Sequence, residues 1–381
     1  MIKKCRPAAS NAAIPLAIYL PHLLGGGAER MHLAMGPELQ RRGFSITFVT
    51  HGMPEDFVPP AGCRVELIEA KRTLMAVVPL ARYLSRERPA LILSNLGHNN
   101  IAAIVAAKLS GTGVKVIGTQ HNTMSLEHQS GAGSTTWLAH ISRFVLRYGD
   151  GMIAVSQGVA ADLAECTHLS PSRITTIYNP VVGAKFNEQA AAPIDETLFV
   201  EGRTLIGVGR MAAQKDWPLL IDALTLVRQR RDVRLLLLGE GPARTEIEAK
   251  VAASGLSEFV RFLGFVPDPL PYIKRADVLV MSSRYEGFGN VIVEALACGT
   301  QVVSTNCKFG PAEILENGRY GDLTPPGDAR AMADAIIRTL DGGRDPAELI
   351  ARGADFTIAR AADLYANLIR RTLSRRRGLP L

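Results

Sequence analysis

Two glutamates flank a glycine-rich turn in the second half of the chain. Glu286 and Glu294 have seven residues between them, which begin with Gly-Phe-Gly-Asn. An apolar run before Glu286 predicts a strand, and the glycines predict a turn that opens a helix. Because a helix N-terminus favours anions, the amides there suit a phosphate, and the two carboxylates suit sugar and ribose hydroxyls. An acidic capping pattern is the alternative, but it leaves Gly-Phe-Gly unexplained. The binding candidates are Phe288, Gly289, Asn290 (also the expected N-cap) and Glu294.

A second loop carries two cations. Arg210 and Lys215 come after Gly209, directly behind the apolar run 203–208. An arginine can hold a diphosphate with two N–H groups, and a lysine adds a point charge that neutralises a leaving phosphate. A pair of solvated surface charges explains the same spacing equally well.

A third loop, in the first half of the chain, contains three consecutive glycines. Gly25, Gly26 and Gly27 follow the first predicted strand and precede a helical pattern. Glycines let the backbone approach an anion closely, and the next helix N-terminus presents free N–H groups to it. The loop is not the dinucleotide fingerprint, because no G-x-G-x-x-G occurs in the chain. A plain tight turn is the alternative.

His121 is the candidate from the first half. It follows the predicted strand 114–118 at the edge where parallel sheets bind ligands. All eight histidines lie before residue 169, which favours this half as the site of a second, non-nucleotide substrate. A structural histidine, and a chance distribution, are the alternatives.

Short apolar runs alternate with helical patterns along the whole chain, which predicts parallel sheets covered by helices. More than ten strands are too many for one sheet, so we expect two doubly wound α/β domains. Their predicted limits are 1–182 and 203–356, with a C-terminal helix at about 357–381 packing back on the first domain. The predicted strands are 14–20, 45–50, 64–68, 91–94, 114–118, 152–155, 173–177, 203–208, 233–238, 260–263, 278–281 and 301–304.

Charge and composition narrow the class of protein further. The 381 residues carry a net charge of +7, but five arginines and no acid lie in 370–381, so the remainder is only +2. Aromatic content of 6% and this concentration of charge argue against a nucleic-acid partner. Five scattered cysteines argue against a disulfide framework and for a reducing, cytoplasmic location. Basic residues before the run 14–24 mimic a signal peptide, but interrupting polar and proline residues favour a first strand.

Together these motifs resemble the GT4 family of retaining, nucleotide-sugar-dependent glycosyltransferases with the GT-B fold. The similarity rests on the glutamate pair, the Gly-Arg-x4-Lys loop and the N-terminal Gly-Gly-x-Glu-Arg, in this order and context. Gln301 departs from the family pattern, which usually has Pro there. Further family-like stretches are Tyr178-Asn179-Pro180-Val181, Leu263-Gly264, Gly310-Pro311-x-Glu313-Ile314 and Asn317-Gly318-x-x-Gly321.

The resemblance implies two domains facing across a cleft and a role for each matching residue. Arg210 and Lys215 would bind the donor diphosphate, and the Gly25–Gly27 loop would reach it from the other domain. Glu286 would face the donor sugar, Glu294 the ribose, and His121 the anomeric centre. It implies front-face retention without a cofactor, and the lack of a D-x-D motif predicts no metal requirement. The expected donor is a UDP-sugar, with N-acetylhexosamine favoured.

The acceptor and the location are expected from the same resemblance and from surface patterning. Segments 71–88 and 137–148 mix apolar and basic residues, and with the arginine-rich tail they fit an anionic membrane surface. We therefore expect a cytoplasmic enzyme, peripheral at the inner face of the membrane, with a glycan or lipid-linked acceptor in polysaccharide or glycolipid synthesis. Amphipathic helices packed on the sheet, and a solvated helix end, are the alternatives for these segments. A sugar-nucleotide epimerase of the same fold is the main functional alternative, and a dinucleotide-dependent oxidoreductase is a remote one.

Overall fold

The computed structural model describes residues 13–23, 27–70, 72–125, 141–142, 144–199 and 202–375. Contacts between residues divide the chain into two compact units. The first unit comprises Met1–Thr119, His140–Met152 and Ala362–Leu381, and the second comprises Gln120–Ala139 and Ile153–Ala361. The domain limits expected from the sequence stay a prediction.

The strands are short and mostly apolar. In chain order they are β1 (Ile14–Tyr19), β2 (Phe44–Thr50), β3 (Arg64–Leu67), β4 (Leu91–Asn95), β5 (Lys115–Gln120), β6 (Gly151–Ala154), β7 (Ile174–Thr176), β8 (Arg203–Val208), β9 (Val233–Leu238), β10 (Val260–Gly264), β11 (Val278–Met281), β12 (Gln301–Thr305) and β13 (Asp322–Thr324).

Helices separate nearly all consecutive strands. They are α1 (Gly27–Arg41), α2 (Val77–Glu87), α3 (Gly97–Ser110), α4 (Gln157–Thr167), α5 (Phe186–Ala190), α6 (Trp217–Arg228), α7 (Arg244–Ala253), α8 (Leu270–Arg275), α9 (Asn290–Cys298), α10 (Pro311–Ile314), α11 (Ala329–Asp341), α12 (Pro346–Gly353) and α13 (Ile358–Ser374).

The strands form two sheets. One has seven strands in the order β3-β2-β1-β4-β5-β6-β7, and the other has six in the order β10-β9-β8-β11-β12-β13. The pairs β1–β2, β1–β4, β8–β9 and β8–β11 are parallel. In both sheets the strand order reverses beside the first strand, which is the arrangement of doubly wound α/β folds. The predicted fold class is confirmed.

Apolar side chains on both faces of each sheet explain why these runs fold as buried strands. In the first unit Leu16 and Ile18 are buried in β1 and Leu93 in β4. In the second unit Leu205 and Leu235 face one core cluster, while Ile206 and Leu236 face another. The alternation places one core on each side of the second sheet and leaves its carboxyl edge for polar loops.

The C-terminal helix α13 is held in place by residues of the first unit. Tyr365 is buried there, with its ring 6.2 Å from that of His32. Asp363 pairs with Arg42 at 2.7 Å, and the Arg370 guanidinium lies 5.4 Å from the centre of the Phe44 ring. Arg370, counted from the sequence as part of a basic tail, is exposed, but its guanidinium contacts the first unit. Residues 376–381 lie outside the described part of the chain.

Two local expectations were wrong. Strand β13 was missed, because its three residues carry little apolar pattern and become a strand only by pairing in parallel with β12. Asn290 is not the N-cap of α9: the cap is Gly289, whose φ of 106° is in the left-handed region, and the helix begins at Asn290. Glycine adopts that φ without strain, which moves the helix start by one residue.

Candidate functional site

The site is built at the carboxyl edge of the six-stranded sheet. Strands β8, β9, β11 and β12 end at this edge, and the loops that follow them are 209–216, 239–243, 282–289 and 306–310. Parallel strands bring all these loops to one side, where open α/β sheets bind ligands. The cation loop and the glutamate loop follow β8 and β11, which are neighbours in the sheet.

Lys215 and Glu286 form an ion pair in this edge. The Lys215 Nζ lies 2.6 Å from Glu286 Oε1, and Ser283 Oγ donates to the same oxygen at 2.7 Å. Glu286 is only 8% exposed. Two donors on one carboxylate oxygen hold the Glu286 side chain in a single orientation. The structure thus joins two residues that the sequence placed in separate loops.

Backbone contacts lock the two loops together. Ser282 Oγ donates to the Lys215 carbonyl oxygen at 2.7 Å, and Gln214 Nε2 donates to the Tyr285 carbonyl oxygen at 2.9 Å. Beside them, Arg284 pairs with the buried Asp216 at 2.9 Å. Lys215 is therefore fixed at its backbone as well as at its ammonium group. These three supporting contacts were not predicted, since side chains this far apart in sequence leave no local signal.

Arg210 differs from Lys215 in being exposed. Its backbone carbonyl oxygen accepts from Trp217 Nε1 at 3.2 Å, which fixes the main chain of the loop. Within the described residues its guanidinium has no ion-pair partner. The loop therefore offers one cation held by a carboxylate and one directed to solvent, which suits an incoming anion.

Glycines let the neighbouring loops approach each other. A Cβ at Gly209 would lie 2.9 Å from Lys215 Cε, and a Cβ at Gly239 would overlap the Gly209 carbonyl oxygen. A Cβ at Gly241 would likewise overlap the Met211 carbonyl oxygen. The Gly-Glu-Gly turn at 239–241 was not predicted, although two glycines directly after an apolar strand indicate a close approach of the backbone.

The glutamate loop also contacts the segment that contains His121. A Cβ at Gly287 would overlap the His121 carbonyl oxygen, so only glycine fits there. Thr123 Oγ1 donates to the Glu286 carbonyl oxygen at 3.2 Å, and Ser156 Oγ donates to the Gly287 carbonyl oxygen at 2.9 Å. The structure therefore brings the backbone of His121 beside Glu286. The His121 side chain is half-buried.

The remaining donor candidates surround the start of α9. The Phe288 ring is buried and stacks on Tyr178 at 5.5 Å, so only its backbone is free to serve a ligand. Asn290 Oδ1 accepts from Asn179 Nδ2 at 3.0 Å. Glu294 is half-buried one turn into α9. These residues lie in or directly after the glutamate loop, and their binding roles stay a prediction.

The three-glycine loop is only partly described. Gly27 begins α1 in the first unit, whereas Gly25 and Gly26 lie outside the described residues.

Comparisons with protein families identify the chain. Residues 25–182 match the model of glycosyltransferase family 4, and residues 202–342 match the model of glycosyl transferases group 1. The two matches follow each other along the chain and together span most of it. The chain belongs to glycosyltransferase family 4. The family resemblance given by the motifs is confirmed, and the protein is a glycosyltransferase.

Two curated relatives align with most of the length of this glycosyltransferase. It is 24% identical to the N-acetylgalactosamine-N,N'-diacetylbacillosaminyl-diphospho-undecaprenol 4-alpha-N-acetylgalactosaminyltransferase of Campylobacter jejuni, over 86% of this chain and 90% of the relative. It is 25% identical to the N-acetyl-alpha-D-glucosaminyl L-malate synthase of Bacillus anthracis, over 83% of this chain and 84% of the relative. Among solved structures, Anabaena Alr3699/HepE in complex with UDP superposes with a TM-score of 0.77 at 22% identity, covering 94% of this chain and 99% of the other.

Cysteines near the site are inert in this glycosyltransferase. Burial raises the pKa of Cys307 to about 12, and the charge of Glu286 acts in the same direction. Burial and then the charge of Glu294 raise the pKa of Cys298 to about 12. Both thiols are protonated near neutral pH, so neither is a nucleophile for a covalent step.

Among the described residues, no group of three or more His, Cys, Asp or Glu side chains is arranged to hold a metal ion. In the same part of the glycosyltransferase, no helix combines the length and apolar character needed to cross a bilayer.

Proposed function

We propose that this glycosyltransferase transfers a sugar from a UDP-sugar to a glycan or lipid-linked acceptor, with retention of anomeric configuration and without a metal. The observation that carries the proposal is the pairing of Lys215 with Glu286 beside the exposed Arg210. This arrangement offers positive charge for a diphosphate and a fixed carboxylate for a sugar. The UDP complex of Anabaena Alr3699/HepE and the diphospho-undecaprenol substrate named for the Campylobacter relative support the donor and acceptor classes.

Retention follows from a front-face displacement. The bond from the anomeric carbon to the diphosphate oxygen breaks, and the bond to the acceptor oxygen forms on the same face of the sugar. The acceptor hydroxyl gives its proton to the departing diphosphate oxygen, so no protein base is consumed. Lys215 and Arg210 stabilise the negative charge on the leaving group, and Glu286 stabilises the positive charge that develops on the sugar.

A UDP-release assay tests the reaction class. UDP, GDP and ADP are first compared by thermal shift, and we expect UDP to stabilise the fold most. UDP-N-acetylglucosamine and UDP-N-acetylgalactosamine are then incubated with and without a polyprenyl-diphosphate-linked sugar. Acceptor-dependent UDP release, and an α-anomeric coupling in the product by NMR, support the proposal. Interconversion of the two donors without any acceptor indicates the epimerase instead, and full activity in EDTA checks the absence of a metal requirement.

Peripheral contact with an anionic membrane is the second part of the proposal. Helices α2 and α3 of the first unit border a groove of about 550 Å³ lined by Val78, Ala81, Arg82, Ser85, Arg86 and Leu109. Val78 is 53% exposed and Leu109 is 63% exposed, so both apolar side chains reach solvent beside the arginines. Apolar and cationic groups together suit the interface of an anionic leaflet.

Vesicle binding tests this contact. Arg82→Ser and Leu109→Ser should each weaken sedimentation with phosphatidylglycerol vesicles and leave hydrolysis of the UDP-sugar unchanged. Ile350→Ser removes a comparably exposed apolar side chain from α12 and should have no effect. A truncation that removes the basic tail should begin after Arg375, so that the contact between Arg370 and the Phe44 ring is kept. Unchanged vesicle binding in both groove variants contradicts this part of the proposal.

A further inference from the structure

The carboxyl edge of the seven-stranded sheet carries a group of polar side chains that the reaction described above does not use. Tyr19 ends β1, His51 directly follows β2, and Ser94 lies in β4. His22 lies in the loop after β1, and His98 lies in the first turn of α3. We call these five residues the histidine cluster; all belong to the first unit.

Backbone pairing fixes the cluster. Tyr19 and Ser94 are register partners on neighbouring parallel strands, so their side chains lie on the same face of the sheet. The loops after β1 and β2 are joined by a hydrogen bond from Leu23 N to the Gly52 carbonyl oxygen at 2.8 Å. Thr50 Oγ1 adds a second link by donating to the Pro21 carbonyl oxygen at 3.1 Å. The histidines on these loops are therefore held close to the strand residues.

The histidine rings contact each other and the tyrosine. The His22 and His51 rings are 4.8 Å apart in an edge-to-face arrangement, and the Tyr19 ring is 6.4 Å from His51. Gly52 makes room for the His22 ring, because a Cβ at this position would overlap His22 Nδ1. The glycine at position 52 therefore allows the His22 imidazole to occupy this position.

Several buried polar atoms of the cluster find no hydrogen-bond partner among the described residues. They are the Tyr19 hydroxyl, both ring nitrogens of His51 and the Ser94 hydroxyl. Tyr19 and Ser94 are fully buried. A buried polar atom without a partner destabilises the fold, and native proteins leave few of them. Their concentration at one ligand-binding edge indicates a bound group that is polar.

The contact between the His22 and His51 rings, 4.8 Å apart, favours an anion, because each imidazole donates from both ring nitrogens and is positively charged when it is protonated. Burial lowers the pKa of His51, and the positive charges of His22 and His98 lower it further. A bound anion would offset this mutual repulsion and would accept hydrogen bonds from imidazole, phenol and hydroxyl donors alike. A neutral sugar could accept hydrogen bonds from the same donors, but it would not offset the repulsion between protonated imidazoles.

We propose that the histidine cluster binds a phosphate group of the acceptor substrate. Assignment of this phosphate to the acceptor rests on the function proposed above, whereas phosphate binding by the cluster can be measured by itself. The phosphate can belong to a lipid-linked diphosphate or to a free sugar phosphate, since both present the same oxygens. His22 and His51 contact it, and Tyr19 and Ser94 complete its hydrogen bonds.

The test is a calorimetric titration of the full-length protein saturated with UDP, so that the donor site is occupied. Farnesyl diphosphate, N-acetylglucosamine 1-phosphate and N-acetylglucosamine are titrated in turn. We expect both phosphate compounds to bind and the neutral sugar not to bind. His22→Gln and His51→Gln should each weaken phosphate binding about tenfold, the typical loss of one charge-assisted hydrogen bond. Gly52→Ala should weaken it as well, by displacing His22.

Controls make the outcome unambiguous. His168→Asn replaces an exposed histidine of the second unit and should leave binding unchanged. Thermal unfolding of each variant separates loss of a contact from loss of the fold. Preference between the farnesyl and sugar phosphates identifies the source of the group. Unaltered phosphate affinity in both His22→Gln and His51→Gln, or equal binding of N-acetylglucosamine, overturns the proposal. If the protein neither binds UDP nor transfers a sugar, the proposed function is overturned. The titration can then be repeated without UDP, and it still tests phosphate binding by the histidine cluster.

Discussion

The carboxyl edges of the two sheets differ in how their buried polar side chains are hydrogen-bonded. At the six-stranded sheet, Lys215, Ser283 and Glu286 satisfy one another within 2.7 Å. At the seven-stranded sheet, Tyr19 and Ser94 are equally buried, but their hydroxyls have no partner among the described residues. The first edge is organised by its own side chains, and the second requires an external group to complete it.

This difference suggests a division of labour between the units. A site that stabilises charge during bond breaking works best when its groups are already oriented, because no reorganisation is then needed. A site that selects a substrate gains discrimination when its polar atoms are unpaired without that substrate. We therefore expect substitutions at the first edge to lower turnover and substitutions at the second to lower acceptor affinity.

The largest expected effect is that of Lys215→Ala. Removing the ammonium group takes away stabilisation of the leaving diphosphate and leaves Glu286 as a buried, unpaired carboxylate. We expect turnover to fall by ~10²-fold or more, as loss of a fixed electrostatic group typically causes. Steady-state kinetics with saturating acceptor measure it. Lys250→Ala, which removes a surface lysine paired with Asp222, serves as the control. Turnover near that of the parent would exclude Lys215 from the catalytic machinery.

Gly287→Ala tests whether the first edge depends on close backbone packing. The new methyl group would overlap the His121 carbonyl oxygen, so the glutamate loop has to shift. We expect a loss of about 1–3 kcal/mol in the free energy of unfolding, the usual cost of overpacking, with reduced turnover. Urea denaturation measures the loss. Gly342→Ala, where a Cβ meets nothing within 4 Å, should be neutral, and equal stability of the two variants would contradict the contact.

The smallest effect concerns pH and the second edge. The pKa of His51 lies below its ordinary value of 6.5, because of burial and the charges of His22 and His98. Below about pH 6.5 the unfolded chain therefore binds more protons at His51 than the folded protein does. The free energy of unfolding decreases as the pH falls through this range, and His51 does not change it above about pH 6.5. His51→Gln should lose less in Tm between about pH 7.5 and about pH 5.5 than the parent does. His168→Asn should follow the parent, and an identical pH dependence in His51→Gln would contradict the assignment.

Much of the fold was predictable because its signal is local. Apolar runs and helical patterns alternate along the chain, and they identified all strands except β13, with ends displaced by a residue or two. The glycine-bearing loops after β8 and β11 were equally visible, as were Lys215 and Glu286 within them. The local pattern did not predict β13, because this strand forms only by pairing with β12. It also placed the start of α9 one residue out, because Gly289 with its positive φ is the N-cap.

The contacts of the site could not be predicted in the same way. Lys215 and Glu286 are 71 positions apart, and they meet because β8 and β11 are adjacent in the sheet. The histidine cluster likewise joins residues from strands whose adjacency no periodicity reveals. By itself the sequence determined two parallel α/β sheets, their ligand-binding edges and the family. The tertiary structure alone decided which polar groups pair and which stay unpaired, because strand order, rather than sequence spacing, sets which loops share an edge.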